Sequence, residues 1–333
     1  MPPLRLVAWE TTRRCPLKCR HCRGSARDQD YEGELSLEEG KRLIDSIAEF
    51  AKPILILTGG EPMNRVDILD IARYATDKGF RVVMSPCGPL ITIERAKAMK
   101  AAGIQRISIS LDGAQASTHD EFRGVPGIFE QTIAGIEAAK AGGLDFQINT
   151  TVSTINVHEL PELLDLSIRL GAKAFDAFFL VPTGRGREIA SLSLSKEAYE
   201  EALRWVHQAS LSAPIDVKPT CAPQYVRIAA EAGDTRRISG CMGGKGFVFV
   251  SYNGTLQPCG FLDIPCGNVR DNDFNFRELY EGSKVFQDIR NVDSYNGKCG
   301  NCSYVVACGG CRARAYEATG DYLAEEPMCA YQP

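Results

Sequence analysis

The sequence contains no long apolar run and no marked excess of charge of either sign. Its 38 Lys and Arg residues are balanced by 42 Asp and Glu residues, which gives a formal net charge of −4. Without a broad basic surface nucleic acid is not an expected partner, and without an apolar run of ~18 residues no membrane span is expected. An apolar run begins by Leu4, which leaves no room for a signal peptide and predicts a cytoplasmic protein.

Cysteine is absent from the middle of the chain and abundant towards both ends. None of the 13 cysteines lies between Cys87 and Cys221, whereas nine lie from Cys221 onward. Because the cytosol keeps thiols reduced, this distribution argues against a disulfide scaffold and indicates two metal-bearing regions. The 333 residues are enough for one large domain followed by a smaller one.

Apolar runs alternate with helical patterns from residue 4 to about residue 181. The candidate strands are 4–11, 54–58, 81–85, 106–111, 146–152 and 174–181. Between them lie amphipathic stretches such as 36–49, where Ser36 and the acidic residues after it are typical of a helix start. Six such units with apolar strands predict an α/β fold with a parallel sheet, whose C-terminal strand ends carry the functional groups. Six units rather than eight predict an open-sided, partial (β/α)6 barrel similar to a TIM barrel.

Three segments are predicted along the chain. Residues 1–212 form the barrel and end in a helix over 192–212, residues 213–240 form a linker, and residues 241–333 form a small cysteine-rich domain. In this last domain, alternating apolar residues on both sides of Asn253 and Gly254 predict a β-hairpin with a type I′ turn. The hairpin brings Cys259 back towards Cys241. Taken alone, the C-x2-C pairs of this region also fit a structural zinc site.

The first strand is followed by Cys15, Cys19 and Cys22. Three thiolates on one short loop can surround one metal centre, and they leave one iron of a [4Fe–4S] cube open for a substrate or cofactor. A zinc site of this spacing needs a fourth local ligand. His21 is the local candidate, but its ring would have to reach a metal held by its neighbour Cys22, so zinc is the weaker alternative.

This C-x3-C-x2-C loop resembles the radical S-adenosylmethionine (SAM) superfamily, in which the open iron binds the amino and carboxylate groups of SAM. The sequence Thr-Gly-Gly-Glu-Pro at 58–62, one βα unit later, resembles the motif that binds the SAM amino group in this superfamily. The resemblance implies an open [4Fe–4S] cluster, SAM, and a reduced flavodoxin or ferredoxin-type electron donor. The SAM-binding residues that it implies are Gly59, Gly60, Glu61, Pro62, Ser108, Ser110, Asp112, Arg123 and Asn149.

The C-terminal region resembles the SPASM extension of that superfamily, which carries two auxiliary [4Fe–4S] clusters. The resemblance assigns one cluster to Cys299, Cys302, Cys308 and Cys329. It assigns the other cluster to Cys241, Cys259 and Cys311. The sequence departs from the family by one residue between Cys308 and Cys311, and it lacks the usual upstream cysteine. Cys221 or Cys266 supplies the fourth ligand of the second group, or the site stays open.

Five stretches resemble the tetrapyrrole-modifying branch of the SPASM proteins, and in particular the enzymes that form heme b in the siroheme-dependent pathway. They are 5–10, 84–88, 180–186, 220–223 and 308–316. The resemblance implies oxidative decarboxylation of two propionates of iron-coproporphyrin III to vinyl groups. The candidate partners of the substrate carboxylates are Arg185, Arg187, Lys218 and Arg227.

Three alternatives remain. The sibling didecarboxysiroheme deacetylases and heme d1 enzymes carry an N-terminal extension that this sequence does not show. A peptide-maturing SPASM enzyme would act on a small precursor, although no fused peptide-recognition domain is expected here. A zinc-stabilised α/β binding protein without catalysis is the third alternative.

Overall fold

A computed structural model describes residues 2–333. Its centre is one sheet of nine strands in the order β7-β6-β5-β4-β3-β2-β1-β8-β9. The strands are β1 (Leu6–Thr12), β2 (Ile54–Gly59), β3 (Arg81–Met84), β4 (Ile104–Ser110), β5 (Phe146–Val152), β6 (Ala174–Phe179), β7 (Asp216–Thr220), β8 (Phe247–Val250) and β9 (Leu256–Gln257).

Thirteen helices accompany the sheet within the described residues. They are α1 (Leu37–Phe50), α2 (Ile68–Asp77), α3 (Ile93–Ala101), α4 (Ala116–Arg123), α5 (Ile128–Ala141), α6 (Leu160–Leu170), α7 (Lys196–Ser212), α8 (Tyr225–Glu231), α9 (Phe276–Gly282), α10 (Lys284–Arg290), α11 (Gly297–Gly300), α12 (Val305–Cys308) and α13 (Arg312–Thr319).

All six predicted strands are confirmed, with ends that differ by at most two residues. They lie side by side in chain order and every neighbouring pair is parallel. The helix start at Ser36 is confirmed too, because its side chain accepts from the Glu39 N–H while the Glu39 carboxylate accepts from the Ser36 N–H. Behind this start, Gly40 packs so closely that a Cβ would lie 2.6 Å from the Trp9 ring. The apolar core therefore lies between the sheet and its covering helices, as predicted.

The segment 213–240 differs from the plain linker that the sequence predicts. It contains β7, which pairs in parallel with β6 at the edge of the sheet, and the helix α8. The strand was missed because Val217 is its single apolar residue and Pro219 interrupts the pattern. An edge strand tolerates proline, since its outer face has no neighbouring strand to bond. The barrel sheet consequently has a seventh parallel strand.

The predicted hairpin is confirmed, but its turn is not of type I′. Gly254 has a positive φ of +86° whereas Asn253 does not, and a type I′ turn needs both. Five residues connect β8 and β9, and the Ser251 N–H donates to the Thr255 carbonyl at 2.9 Å. In addition, β8 pairs in parallel with β1. The cysteine-rich region is therefore continuous with the barrel sheet.

Within residues 2–333 no helix combines the length and the apolar composition that a bilayer crossing requires.

Candidate active site and auxiliary cysteine sites

The cysteine loop after β1 opens onto a cavity of about 1060 Å3 at the C-terminal ends of the strands. Cys15 and Cys19 are buried, Cys22 is half-buried, and all three line the cavity. Burial raises the pKa of the Cys15 thiol to about 12. The free thiol therefore keeps its proton until a metal replaces it. The structure brings the three candidate ligands to one site at a strand end.

Arg185, from the segment after β6, holds this loop in place. Its Nε donates to the Cys19 carbonyl at 2.9 Å and its Nη1 donates to the Ala26 carbonyl at 2.7 Å. Its backbone N–H donates to the Cys22 carbonyl at 3.0 Å. The second terminal nitrogen, Nη2, is buried without a partner in the protein. Arg185 therefore fixes the loop and still carries a donor that a bound molecule could use.

The two glycines after β2 allow close packing of the strand ends. A Cβ on Gly59 would lie 2.3 Å from the Thr12 carbonyl oxygen, and a Cβ on Gly60 would lie 2.5 Å from that of Arg13. The Gly60 N–H donates to the Thr12 carbonyl at 2.7 Å. Both glycines also line the cavity. Glycine is therefore required here for the contact with the cysteine loop, whatever ligand binds in front of it.

Glu61 lies behind the cavity wall and is fully buried. Its carboxylate accepts from the backbone N–H of Cys87 at 2.6 Å and from that of Met63 at 2.9 Å. Burial raises the pKa of this carboxyl, although these hydrogen bonds oppose the increase. Pro62 begins a short 3-10 turn beside it. Neither Glu61 nor Pro62 lines the cavity, so their predicted contact with SAM stays a prediction.

Asp112 and Arg123 form a buried ion pair beside the cysteine loop. The Arg123 Nη2 lies 2.6 Å from the Asp112 Oδ2, and the Thr151 N–H donates to the Asp112 Oδ1 at 2.7 Å. Burial alone would raise the pKa of Asp112, but Arg123 lowers it below its usual value. The Arg123 Nη1 also lies 3.5 Å from the Cys19 sulfur. Arg123 thus places a positive charge where a cysteine thiolate would need one.

The predicted residues on β4 and β5 are only partly brought together. Ser110 and Asn149 line the cavity, whereas Ser108 lies farther down the strand and does not. The Asn149 Oδ1 accepts from the Gln147 side chain at 2.9 Å. Ser110 and Asn149 therefore offer polar atoms to a bound molecule at the strand ends.

Further residues that the sequence did not single out for the site also line the cavity. His21 is one, and its ring stacks on Phe122 with centroids 4.5 Å apart. Burial lowers the pKa of His21 to about 4, so the ring is neutral near pH 7. The residues at strand ends could have been predicted, because functional groups of such a sheet lie there, whereas Phe261 comes from the distant hairpin region. Among the others are Arg23, Ser85, Cys87, Thr151, Phe178, Val181 and Phe261.

The four basic candidates for the substrate do not share one site. Arg187 lies in a bidentate pair with Glu317, with both N–O distances at 2.8 Å. Lys218 lies 3.4 Å from Asp176. Arg185 is the one of the four that lines the cavity. Arg227 is buried between Glu200 and Glu231, at 2.5 Å and 2.9 Å respectively.

The first auxiliary group of cysteines lines a separate cavity of about 370 Å3. Backbone N–H groups point at its sulfur atoms, from Glu326 to Cys299 at 3.3 Å and from Tyr304 to Cys302 at 3.4 Å. Such donors are a regular feature of iron–sulfur sites. The four members, Cys299, Cys302, Cys308 and Cys329, are the set that the SPASM resemblance assigned to one cluster.

The short spacing between Cys308 and Cys311 is made possible by two glycines. Gly309 and Gly310 have φ values of +72° and +56°, a region that glycine enters without strain. Two such residues in succession reverse the chain between the cysteines. Cys308 therefore lines the auxiliary cavity while Cys311 is buried in a different apolar cluster.

Cys241 and Cys259 both lie beside Gly243, on the side to which a Cβ would point. A Cβ on Gly243 would be 3.2 Å from the Cys259 Cβ and 3.5 Å from the Cys241 sulfur. Of the two candidates for a fourth ligand, Cys221 follows β7 and packs against the cluster of Cys311. Cys266 is buried in the main core, and its sulfur lies 3.6 Å from the Ile264 carbonyl.

Comparisons with known proteins define the class of protein. The model of the radical SAM superfamily matches residues 9–167, and that of SPASM, an iron-sulfur cluster-binding domain, matches residues 241–303. The fold is similar to that of SuiB from Streptococcus suis bound to its precursor peptide SuiA, with a TM-score of 0.78 and 18% identity. The likeness covers 99% of this chain and 76% of SuiB. At this identity it concerns the fold alone.

Two relatives from Methanosarcina barkeri are more informative. The chain is 48% identical to an AdoMet-dependent heme synthase, over 99% of this chain and 97% of that protein. It is 32% identical to an Fe-coproporphyrin III synthase, over 97% of this chain and 87% of that protein. The chain belongs to the radical SAM superfamily, in the branch whose members carry a SPASM domain.

Membership of this family implies a [4Fe–4S] cluster with SAM, and further [4Fe–4S] iron–sulfur chemistry in the SPASM domain. The residues present fit these groups. Three thiols line one cavity with Arg123 beside Cys19, and four thiols, two of them with backbone N–H donors, line another. The protein is thus a radical SAM enzyme.

Proposed function

We propose that the enzyme converts two propionate groups of iron-coproporphyrin III to vinyl groups and so forms heme b. The observation that carries this proposal is the cavity that joins the two cysteine regions. It begins at the three-cysteine loop and ends at Phe261, two residues after Cys259. Phe261 and Val181 line the cavity and also pack in the apolar cluster of Cys311. A substrate in this cavity would be flanked by both regions.

The 48% identity to a heme synthase supports the same choice. The Fe-coproporphyrin III synthase from the same organism is less similar, at 32%. Its name gives its product, which is the substrate that we propose here. The likeness to SuiB concerns the fold alone and does not favour a peptide substrate.

The chemistry of the proposal is a hydrogen abstraction followed by loss of carbon dioxide. When bound, the [4Fe–4S] cluster and SAM supply a 5′-deoxyadenosyl radical in exchange for one electron, from a flavodoxin or ferredoxin-type donor. Removal of a hydrogen atom from the propionate β-carbon leaves a carbon radical. Cleavage of the bond to the carboxylate then gives a vinyl group, carbon dioxide and one electron. That electron has to leave, and a cluster held by the auxiliary cysteines would be its acceptor, since Phe261 and Val181 pack in the same apolar cluster as Cys311.

Residues of the chain would bind and orient the substrate. The wall at the end of β6 and at Phe261 is apolar and suits the face of a macrocycle. Arg185 and Arg23 line the cavity, and the guanidinium of Arg23 lies 4.1 Å above the Phe249 ring. We propose both as partners of substrate carboxylates. Arg187, Lys218 and Arg227 do not line the cavity and pair with their own carboxylate partners, whereas Arg23 lines the cavity and pairs with Glu10 at 3.3 Å.

We propose that the three segments of the chain have separate roles in this reaction. Residues 1–212 provide the radical site, and residues 241–333 provide the auxiliary cysteines. The connecting residues 213–240 add the last barrel strand and Cys221.

The test uses anaerobically purified protein with reconstituted clusters, SAM, a strong reductant and iron-coproporphyrin III. Chromatography with mass detection follows 5′-deoxyadenosine and the porphyrin. The expected result is loss of two carboxyl groups in step with formation of 5′-deoxyadenosine. Formation of deoxyadenosine without a change in the porphyrin would contradict the proposed substrate. Parallel assays with didecarboxysiroheme would then test for the activity of the sibling deacetylases.

A further inference from the structure

The second auxiliary group lacks one thiolate. Cys241, Cys259 and Cys311 provide three, whereas a closed [4Fe–4S] cluster takes four. The difference matters for mechanism, because an iron without a protein ligand could bind the substrate directly. The two remaining cysteines, Cys221 and Cys266, lie in different places.

Cys221 packs against the apolar cluster that contains Cys311. Phe261, two residues after Cys259, packs against the same cluster, and the Cys241 sulfur and the Cys259 Cβ both lie within 3.5 Å of the Cβ position of Gly243. These contacts place Cys221 and the three thiols in one part of the structure. The Phe261 N–H donates to the Cys259 sulfur at 3.2 Å, a contact that iron–sulfur sites commonly show.

The backbone at the end of β7 places Cys221 in this part of the structure. It is the first residue after β7, and the Thr220 hydroxyl before it donates to the Asp176 carboxylate on β6 at 2.7 Å. Cys221 itself has a φ of +57°, a region that non-glycine residues seldom enter. Residues in such conformations are concentrated at functional sites, where the surrounding structure holds them. The strand missed in the sequence thus ends at this cysteine.

Cys266 lies in a different part of the structure from the three thiols. It is buried in the main core, close to Ser283 and Arg290, and its sulfur lies 3.6 Å from the carbonyl of Ile264. No thiol is among the groups that act on it. It is therefore a structural cysteine and serves as a matched control.

We propose that Cys221 is the fourth protein ligand of the auxiliary [4Fe–4S] cluster held by Cys241, Cys259 and Cys311. Each thiol binds iron as a thiolate and releases its proton to solvent on cluster assembly. Every iron then carries a cysteine sulfur, so the substrate does not bind this cluster. Electrons would reach it through the intervening Phe261 and Val181. The proposal rests on the family assignment and not on the tetrapyrrole substrate.

The experiment examines the auxiliary clusters without any turnover. In the full chain, Cys15→Ala, Cys19→Ala and Cys22→Ala remove the radical SAM cluster. The reduced protein is then studied by electron paramagnetic resonance and Mössbauer spectroscopy, with and without added cyanide. With Cys221 intact, cyanide should leave both signals unchanged. A shift of either signal would reveal an open iron and overturn the proposal without the need for a Cys221 variant.

Cys221→Ala is then compared with Cys266→Ala in the same background. Cys221→Ala should make one signal sensitive to cyanide, or lower the iron content from about eight to about four per chain, at four irons per cluster. Cys266→Ala should change neither. Cys221→Ser, whose oxygen can still bind iron, should retain the cluster with a shifted signal. An unchanged spectrum for Cys221→Ala, or the same change for Cys266→Ala, would contradict the assignment. Failure of the heme assay alone would leave these results untouched.

Discussion

The two cysteine regions differ in how many thiols they bring together and in how far apart those thiols lie in the chain. The N-terminal loop collects three within eight residues, on the rim of a wide cavity. The auxiliary group at Cys299 collects four from residues 299 to 329, around a much smaller cavity. Three thiols leave an iron open for SAM, and four close the cluster. We therefore propose that the first region does chemistry and that the second transfers electrons.

A second comparison concerns the buried charges beside these cysteines. Arg123 pairs with Asp112 next to Cys19, and Arg314 pairs with Glu326 at 3.0 Å. The ionisable groups that act on Arg314 include Cys311. Both arginines offset the negative charge of thiolates. Arg123 lines the open cavity, whereas the Arg314 pair is buried and its Glu326 lies at the wall of the smaller auxiliary cavity.

The sharpest test of the first comparison is a pair of cysteine variants. Cys19→Ala should abolish formation of 5′-deoxyadenosine, because the radical SAM cluster loses a ligand, and the iron content should fall from about twelve to about eight per chain. Cys302→Ala should still form 5′-deoxyadenosine but should lose porphyrin decarboxylation. Chromatography of both products measures each step. If Cys302→Ala abolished deoxyadenosine with the N-terminal cluster intact, the division of roles would be wrong.

The buried pair of Arg314 and Glu326 predicts a large effect on stability. Arg314→Met should lower the free energy of unfolding by about 3–5 kcal/mol, because it leaves the Glu326 carboxylate buried without its partner. Arg314→Met combined with Glu326→Leu should restore most of this loss. Denaturant unfolding of the reduced, cluster-free protein measures both. Equal losses in the single and the double variant would show that packing, and not the uncompensated charge, determines the effect.

The sequence predicted those parts of the site whose residues are close together in the chain or follow a regular pattern. The three-cysteine loop and the six apolar strands belong to this group, whereas the sets of auxiliary cluster ligands rest on the resemblance to SPASM proteins and stay a prediction. It could not predict β7, because Val217 is the single apolar residue in that strand, and so it could not choose between Cys221 and Cys266. It also could not find Phe261 at the cavity, since that contact depends on β8 pairing with β1.

The sequence also could not predict the hydrogen-bond and ion-pair partners of the basic side chains. Arg185, Arg187 and Arg227 look alike as basic residues near the predicted site. In the structure one fixes the cysteine loop, one lies in an exposed ion pair and one is buried between two carboxylates. Such differences depend on distant residues, such as Glu317 on α13, whose position no local pattern reveals.

The close packing between the ends of β1 and β2 predicts a smaller loss of stability. Gly60→Ala should lower the free energy of unfolding by about 1–3 kcal/mol, because its Cβ would lie 2.5 Å from the carbonyl oxygens of Arg13 and Arg14, which cannot move independently. Gly282→Ala is the control, since no atom lies within 4 Å of that Cβ. Thermal unfolding compares the two variants. Equal midpoints would mean that the cysteine loop shifts freely, contrary to a preformed site.

The smallest predicted effects distinguish Arg185 from the neighbouring Arg187. Arg185→Ala removes two of the three hydrogen bonds that Arg185 donates to the cysteine loop region, since the backbone N–H remains, and each lost bond should cost about 0.5–1.5 kcal/mol. Arg187→Ala should cost about 1–3 kcal/mol, because Arg187 is exposed but the Glu317 side chain that it leaves without a partner is only 9% exposed. The half-life of the reconstituted N-terminal cluster in the presence of a chelator distinguishes them. Arg185→Ala should shorten it and Arg187→Ala should not. The same half-life in both variants would mean that the loop is held by its backbone contacts alone, as in the Cys15 N–H bond to Arg27.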